Sequence, residues 1–193
     1  MTRLANRWLL ILVLLWVPAA PAAVINLSGI FSGLNESPPN ASPGTGFVTV
    51  LIDTIAHLMT IHAEFSGLLG NTTAAHIHCC TVPGSNAGVA TTVPSFAGFP
   101  LGVTSGTFNS VLDLTAASTY NPAFVAGLGG GTIAGAEAAL LAGLFSNRAY
   151  FNIHTNQFPG GEIRANLRAP EPSTLVLLGV AALAAGALRR RRG

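Results

Sequence analysis

Strict alternation of apolar and polar residues marks most of this chain as β-structure. Residues Thr45–Asp53 place Val48, Val50 and Ile52 on one side and Phe47, Thr49 and Leu51 on the other. Residues 58–65 repeat the pattern, with Met59, Ile61, Ala63 and Phe65 opposite Thr60, His62 and Glu64. A period of two is what a strand with one buried face requires. The short Ile55-Ala56-His57 link predicts that these two runs form a hairpin. Further strands are predicted at 25–31, 74–79, 107–114, Ala149–Thr155 and 162–167, with Pro159-Gly160-Gly161 turning between the last two. Short strands joined by Gly- and Pro-rich connections predict an all-β domain, an antiparallel β-sandwich with Greek-key-like connections. One stretch departs from this. Residues 121–127 and Ile133–Phe145 are alanine-rich, and the second carries apolar residues at helical spacing, so a short helical insert is expected. Gly129-Gly130-Gly131 lacks the preceding strand and following lysine of a phosphate loop and reads as a turn between helices.

The two ends follow different patterns. Arg3 and Arg7 precede an apolar run at 8–17, and Ala20-Pro21-Ala22 supplies small residues for cleavage. This predicts a signal peptide helix over 1–23, removed by signal peptidase. At the other end, Pro170-Glu171-Pro172 is followed by an uncharged run at 174–188 and by Arg189 to Arg192. As a helix that run spans roughly 22 Å, short of the ~30 Å hydrocarbon core. The arginines would stay on the cytoplasmic side. The chain therefore divides into a signal peptide at 1–23, a central domain at 24–168 and a C-terminal segment at 169–193 with a short membrane helix.

Removing the ends changes the charge. The whole chain has a formal charge of +2, but the central domain keeps only Arg148, Arg164 and Arg168 against Glu36, Asp53, Glu64, Asp113, Glu137 and Glu162. The chain has no lysine, so a basic footprint for nucleic acid is absent and no nucleic-acid partner is expected. The only cysteines, Cys79 and Cys80, are adjacent and cannot staple distant segments. Free thiols, a bond between the two or to another chain, and metal ligation by Cys80 all remain open for them.

Three histidines carry the candidate chemistry. His76 and His78 lie two apart on a predicted strand, so both rings face one side with Cα atoms about 6.5 Å apart. Cys80 continues that face, and His154 comes from another strand. Imidazole with or without thiolate is a donor set for zinc or copper. The alternative is that the histidines bond backbone groups and order the loops. Hydrolytic chemistry has no support: there is no Gly-x-Ser-x-Gly elbow and no close carboxylate pair. No catalytic residue and no obligatory cofactor is assigned, and the protein is expected not to be an enzyme.

Ordered elements along 24–168 resemble the CHRD domain. They are Leu34-Asn35-Glu36-Ser37-Pro38-Pro39, Phe65-Ser66-Gly67-Leu68, Ala75-His76-Ile77-His78, Tyr150-Phe151-Asn152-Ile153-His154-Thr155 and Pro159-Gly160-Gly161-Glu162-Ile163-Arg164. Asn35 stands where the family often has glycine. The family itself carries little mechanism, and the expected role is a structural or interaction module that contacts extracellular polysaccharide or a surface protein. The strand histidines are also similar in pattern to the copper–zinc superoxide dismutase sandwich, which implies a dismutase-like fold and, as an alternative function, dismutase-like activity. The C-terminal segment resembles the PEP-CTERM sorting signal, carried here by Pro170, Glu171 and Pro172. That resemblance implies processing by an exosortase-type protease, transient inner-membrane anchoring through 174–188, and delivery to the cell surface or extracellular matrix.

Overall fold

Each alternating segment becomes a strand in the computed structural model, which describes residues 24–169. The strands are β1 (Val24–Ser32), β2 (Thr45–Asp53), β3 (Leu58–Ser66), β4 (Thr72–Cys79), β5 (Gly106–Asp113), β6 (Ala149–Thr155) and β7 (Ile163–Asn166). Two helices, α1 (Pro122–Ala126) and α2 (Ile133–Phe145), lie between β5 and β6. The hairpin of β2 and β3 pairs from Asp53↔Leu58 to Thr45↔Ser66. Its turn is closed by Asp53, whose Oδ1 accepts from the amides of Ile55 and Ala56 at 2.9 and 2.8 Å. His57 takes the left-handed conformation that finishes the reversal. The register puts Val48, Val50, Ile52, Met59, Ile61, Ala63 and Phe65 inside, as the alternation demands.

All pairings are antiparallel, and the order across the sheet is β4-β6-β7-β1-β2-β3-β5. The seam between β7 and β1 is narrow. It consists of Ser32↔Arg164 and the bridge Ser28↔Arg168. Asn35 reinforces it, donating from Nδ2 to the carbonyls of Ile30 and Arg164, both at 3.0 Å. So narrow a joint lets the two wings turn towards each other. Phe96 meets Phe108 of β5 at 5.5 Å and Phe151 of β6 at 5.4 Å, which brings the two sides of the sheet together across one core. Phe31 packs edge-on against Phe151 at 5.4 Å. The antiparallel β-domain with a helical insert is thus present, with all its strands hydrogen-bonded into one curled sheet.

The remaining elements close the core. Residues 88–96 run beside β4 and accept or donate along its free edge, through Cys79 N to Gly88 O, Ala90 N to Ile77 O and Phe96 N to Ala75 O. An edge so covered cannot recruit another chain. Helix α2 is capped by Thr132, whose Oγ1 accepts from Gly135 N at 3.0 Å. It buries Ala136, Leu140 and Leu144 along one stripe towards β4 and β6. Gly130 and Gly131, both at positive φ, make the turn before it, as the glycine run suggested. Glu162 is buried at the β7 end. Its carboxylate accepts from Ser42 Oγ (2.6 Å), Leu69 N (2.6 Å), Gly70 N (3.1 Å) and Thr155 Oγ1 (2.8 Å). Burial works against that charge, but these bonds outweigh it and hold its pKa below the ordinary value.

Among the described residues no helix is long and apolar enough to cross a membrane. The expected signal peptide at 1–23 and the apolar run at 174–188 lie outside the described residues.

Ile61 and Ile153 are buried on opposite wings. Ile61→Asp or Ile153→Asp is expected to cost at least about 3 kcal/mol, because each leaves a carboxylate buried without a partner. Thr60→Asp, on the outward face of β3, is expected to cost less than about 1 kcal/mol. Urea unfolding of the three variants checks this; similar losses in all three would mean that the strand faces are assigned wrongly.

Candidate metal centre

On the wing of β4, β6 and β7 both faces are buried, and they differ in chemistry. Ala75, Ile77, Phe151, Ile153, Ile163 and Ala165 face the core. The alternate positions are His76 and His78 on β4, Tyr150, Asn152 and His154 on β6, and Arg164 on β7. Cross-strand register places His76 beside Asn152, His78 beside Tyr150, and Asn152 beside Arg164. Loops 33–40, 85–95 and 156–161 lie over this second face.

The three predicted histidines converge there. One ring nitrogen from each lies within 4.8 Å of the others, and Nε2 of His78 is 3.4 Å from Nε2 of His154. His76 and His78 are 6% and 7% exposed. The opposite nitrogen of each ring meets a backbone carbonyl. His76 Nε2 donates to Pro94 O at 2.6 Å, His78 Nδ1 to Ala87 O at 2.9 Å, and His154 Nδ1 to Pro159 O at 2.9 Å. A carbonyl only accepts, so each contact sets the tautomer. In the neutral rings this leaves lone pairs on His76 Nδ1, His78 Nε2 and His154 Nε2. His76 Nδ1 is buried and has no hydrogen-bond partner among the described residues.

Neutrality is enforced by the surroundings. Burial is the main cause lowering the pKa of all three, with further lowering from neighbouring charges; His78 is pushed down to about 4. Arg164 is part of the reason for His78 and His154. Its guanidinium lies 3.8 Å from the Tyr150 ring centre, and Tyr150 stacks on His78 with centroids 4.9 Å apart and planes 6° apart. Tyr150 also accepts from the amide of Ala87 at 3.0 Å, so it positions both the His78 ring and the loop that bonds it. Arg164 pairs with Glu36 Oε2 at 3.0 Å and donates to Ser85 O and Asn86 Oδ1. Burial raises the Glu36 pKa despite this partner.

A CHRD domain model matches residues 27–167, and a PEP-CTERM protein-sorting motif matches residues 168–192. This chain belongs to the CHRD domain family. No curated protein and no solved structure matches it. The PEP-CTERM signal marks the CHRD protein for export, with transient membrane anchoring before display at the cell surface. Its Pro170, Glu171 and Pro172 lie outside the described residues.

The geometry makes this face of the CHRD domain suited to a metal ion. Zinc or copper bonded to imidazole at about 2.0–2.1 Å brings its ligand nitrogens about 3–3.5 Å apart. The His78–His154 separation already meets that. The carbonyl contacts are the outer partners that orient histidine ligands and fix their tautomers. Cys80 is a correction to the sequence reading. Strand β4 ends at Cys79, so the alternation that would have placed Cys80 beside the histidines lapses. Its sulfur is bonded to Cys79 and sits against α2, 3.4 Å from Ala139 O. The pair packs on Gly143, where a Cβ would collide with both sulfurs. His57 and His62 lie elsewhere, bonded to Glu137 at 2.7 Å and to Asn109 at 2.7 Å.

Sequence reasoning did not assign Tyr150, Arg164 or Glu36 to the site. The polar alternation Tyr150, Asn152, His154 on β6 was the available signal. The carbonyls of Ala87, Pro94 and Pro159 had none, since a backbone acceptor leaves no trace in residue type.

The lowered histidine pKa values carry a sign for stability. As pH falls below ~6.5, the unfolded chain takes up protons that folded His78 refuses until about 4. Stability from this group is therefore full above ~6.5 and lost through that window. Between pH 7 and pH 5 the metal-free protein is expected to lose about 2 kcal/mol to His78 alone. His78→Gln, which keeps a donor for Ala87, should flatten the slope by that amount in paired denaturation curves. Parallel curves for the two proteins would contradict the assignment.

Proposed function

We propose that this CHRD protein is a non-enzymatic surface module that holds a transition-metal ion, zinc or copper, between His76, His78 and His154. The observation that carries the reading is the set of lone pairs facing one another. Two buried rings, His76 and His78, and the half-buried ring of His154 each direct their one N–H outward to a carbonyl and turn a bare nitrogen inward. Bare nitrogens 3.4 Å apart repel unless a cation lies between them. The neighbours of the rings are carbonyls, a buried tyrosine and a paired arginine, a setting that grips an ion and offers no nucleophile. Ion binding would also tie β4 to β6 and lock three loops, which suits a protein that must survive outside the cell.

Display in an extracellular matrix, after removal of 1–23 by signal peptidase and of the tail by an exosortase-type protease, is part of the same proposal. The outward face of β1, β2, β3 and β5 supports a contact role. It carries Ile30, Phe47, Leu51 and Val111 exposed among Ser28, Thr49, Thr60 and Asn109. That largely uncharged surface fits polysaccharide or another surface protein.

Calorimetry and elemental analysis test the metal claim. The exported protein is expected to bind one equivalent of zinc or copper and to melt at higher temperature when loaded, since the ion binds the folded state. His76→Ala/His78→Ala should abolish uptake. Equal uptake by both proteins, or none by either, returns the histidines to a structural role. Sorting has its own test. Replacing Pro170-Glu171-Pro172 by alanines should leave unprocessed precursor in the membrane, and normal release would sink the processing claim.

A further inference from the structure

We propose that the ion preferred at this centre is monovalent copper, Cu(I). The inference rests on the metal-centre reading and goes one step further, to the charge and coordination number of the ion.

Charge decides first. The three imidazoles are neutral ligands, and their outer partners are the carbonyls of Pro94, Ala87 and Pro159. Among the described residues no carboxylate bonds any of the three rings. The charged group stacked towards them is Arg164, through Tyr150. Its counter-ion Glu36 is bonded to the guanidinium itself and leaves no net negative charge for the ion. A divalent ion would keep both its charges in a buried setting that supplies no net negative charge. The cost of desolvating an ion rises with the square of its charge, so a monovalent ion carries about a quarter of that cost.

Coordination number agrees. Zinc takes four ligands, and because Cys80 is bonded to Cys79 and turned to α2, the fourth would have to be a water molecule brought into this loop-covered face. The protein therefore offers three. A filled d shell leaves Cu(I) without a geometric demand, and three nitrogens around it in a plane satisfy it. At a bond length of about 2.0 Å a trigonal arrangement separates the nitrogens by about 3.5 Å, close to the 3.4 Å between His78 and His154. Imidazole is an accepted ligand for copper, so donor type does not oppose the choice.

The exported protein, produced from the full chain, is titrated without oxygen with Cu(I) against bicinchoninate. Parallel titrations use Zn(II) and Cu(II) against chromophoric chelators. At pH 7 the Kd for Cu(I) is expected to lie at least 100-fold below the other two. A 100-fold preference over Cu(II) raises the one-electron potential of bound copper by about 120 mV relative to the aqueous couple. X-ray absorption should show three nitrogen neighbours. Ala74→Asp, which puts a carboxylate on the half-buried position paired with His154, should narrow the gap at least tenfold. An unchanged gap in this variant, with the fold intact by circular dichroism, overturns the charge argument. Zn(II) or Cu(II) bound as tightly as Cu(I), and lost in His78→Gln, overturns the Cu(I) preference and leaves the metal centre standing. No uptake of any ion, or uptake unchanged in both His78→Gln and the more exposed His154→Gln, overturns both.

Discussion

A guanidinium that is 1% exposed must be neutralised where it stands, and Arg164 organises one face of this domain by that requirement. Its Nε and Nη2 reach Glu36 at 3.1 and 3.0 Å, Nη2 reaches Asn86 Oδ1 at 2.5 Å, and Nη1 reaches Ser85 O at 3.2 Å. These partners come from two separate loops. Holding Ser85 and Asn86 fixes the start of the segment that continues to Ala87 and Pro94, whose carbonyls set the tautomers of His78 and His76. Holding Glu36 closes the other side over Asn152. The orientation of the imidazoles thus depends on an ion pair that touches none of the ring nitrogens.

The same wing shows why a strand buried on both sides need not be apolar on both. The core face gains from transfer of hydrocarbon out of water. The other face is covered by loops, and loops bring backbone amides and carbonyls that need partners. Tyrosine, histidine, asparagine and arginine supply them. A greasy residue at His78 would leave the Ala87 carbonyl without its donor. Polar identity there follows from what covers the strand.

Much of the fold was legible because alternation encodes which side of a strand is buried. Val48, Val50 and Ile52, and Met59, Ile61 and Ala63, went inside as their spacing required, and Ile133–Phe145 formed its helix. The convergence of His76, His78 and His154 was readable in part: spacing by two gives a shared face, and the polar alternation of β6 adds a neighbour. Cys80 was misplaced because the pattern was extended one residue beyond the end of a strand. Glu36 and Arg164 are separated by most of the chain and share no pattern, so their pairing exists only in the folded order β6-β7-β1. Asn35 looked like a departure from its family. In the fold its amide side chain spans the seam, a task that needs a side chain and that glycine lacks.

The seam between β7 and β1 has a mechanical consequence. Leu167 N bonds Ala149 O at 3.1 Å, and Arg168 exchanges two bonds with Ser28, at 2.9 and 3.0 Å. The sorting motif begins at Pro170, so Ala169 is the one residue between a stitched β-bridge and the recognised sequence. Two extended steps reach about 7 Å at most. There is no leash. Any protease that grips Pro170-Glu171-Pro172 works with the folded body pressed against its entrance. The domain's own bulk is then part of what a processing enzyme at that motif must accommodate.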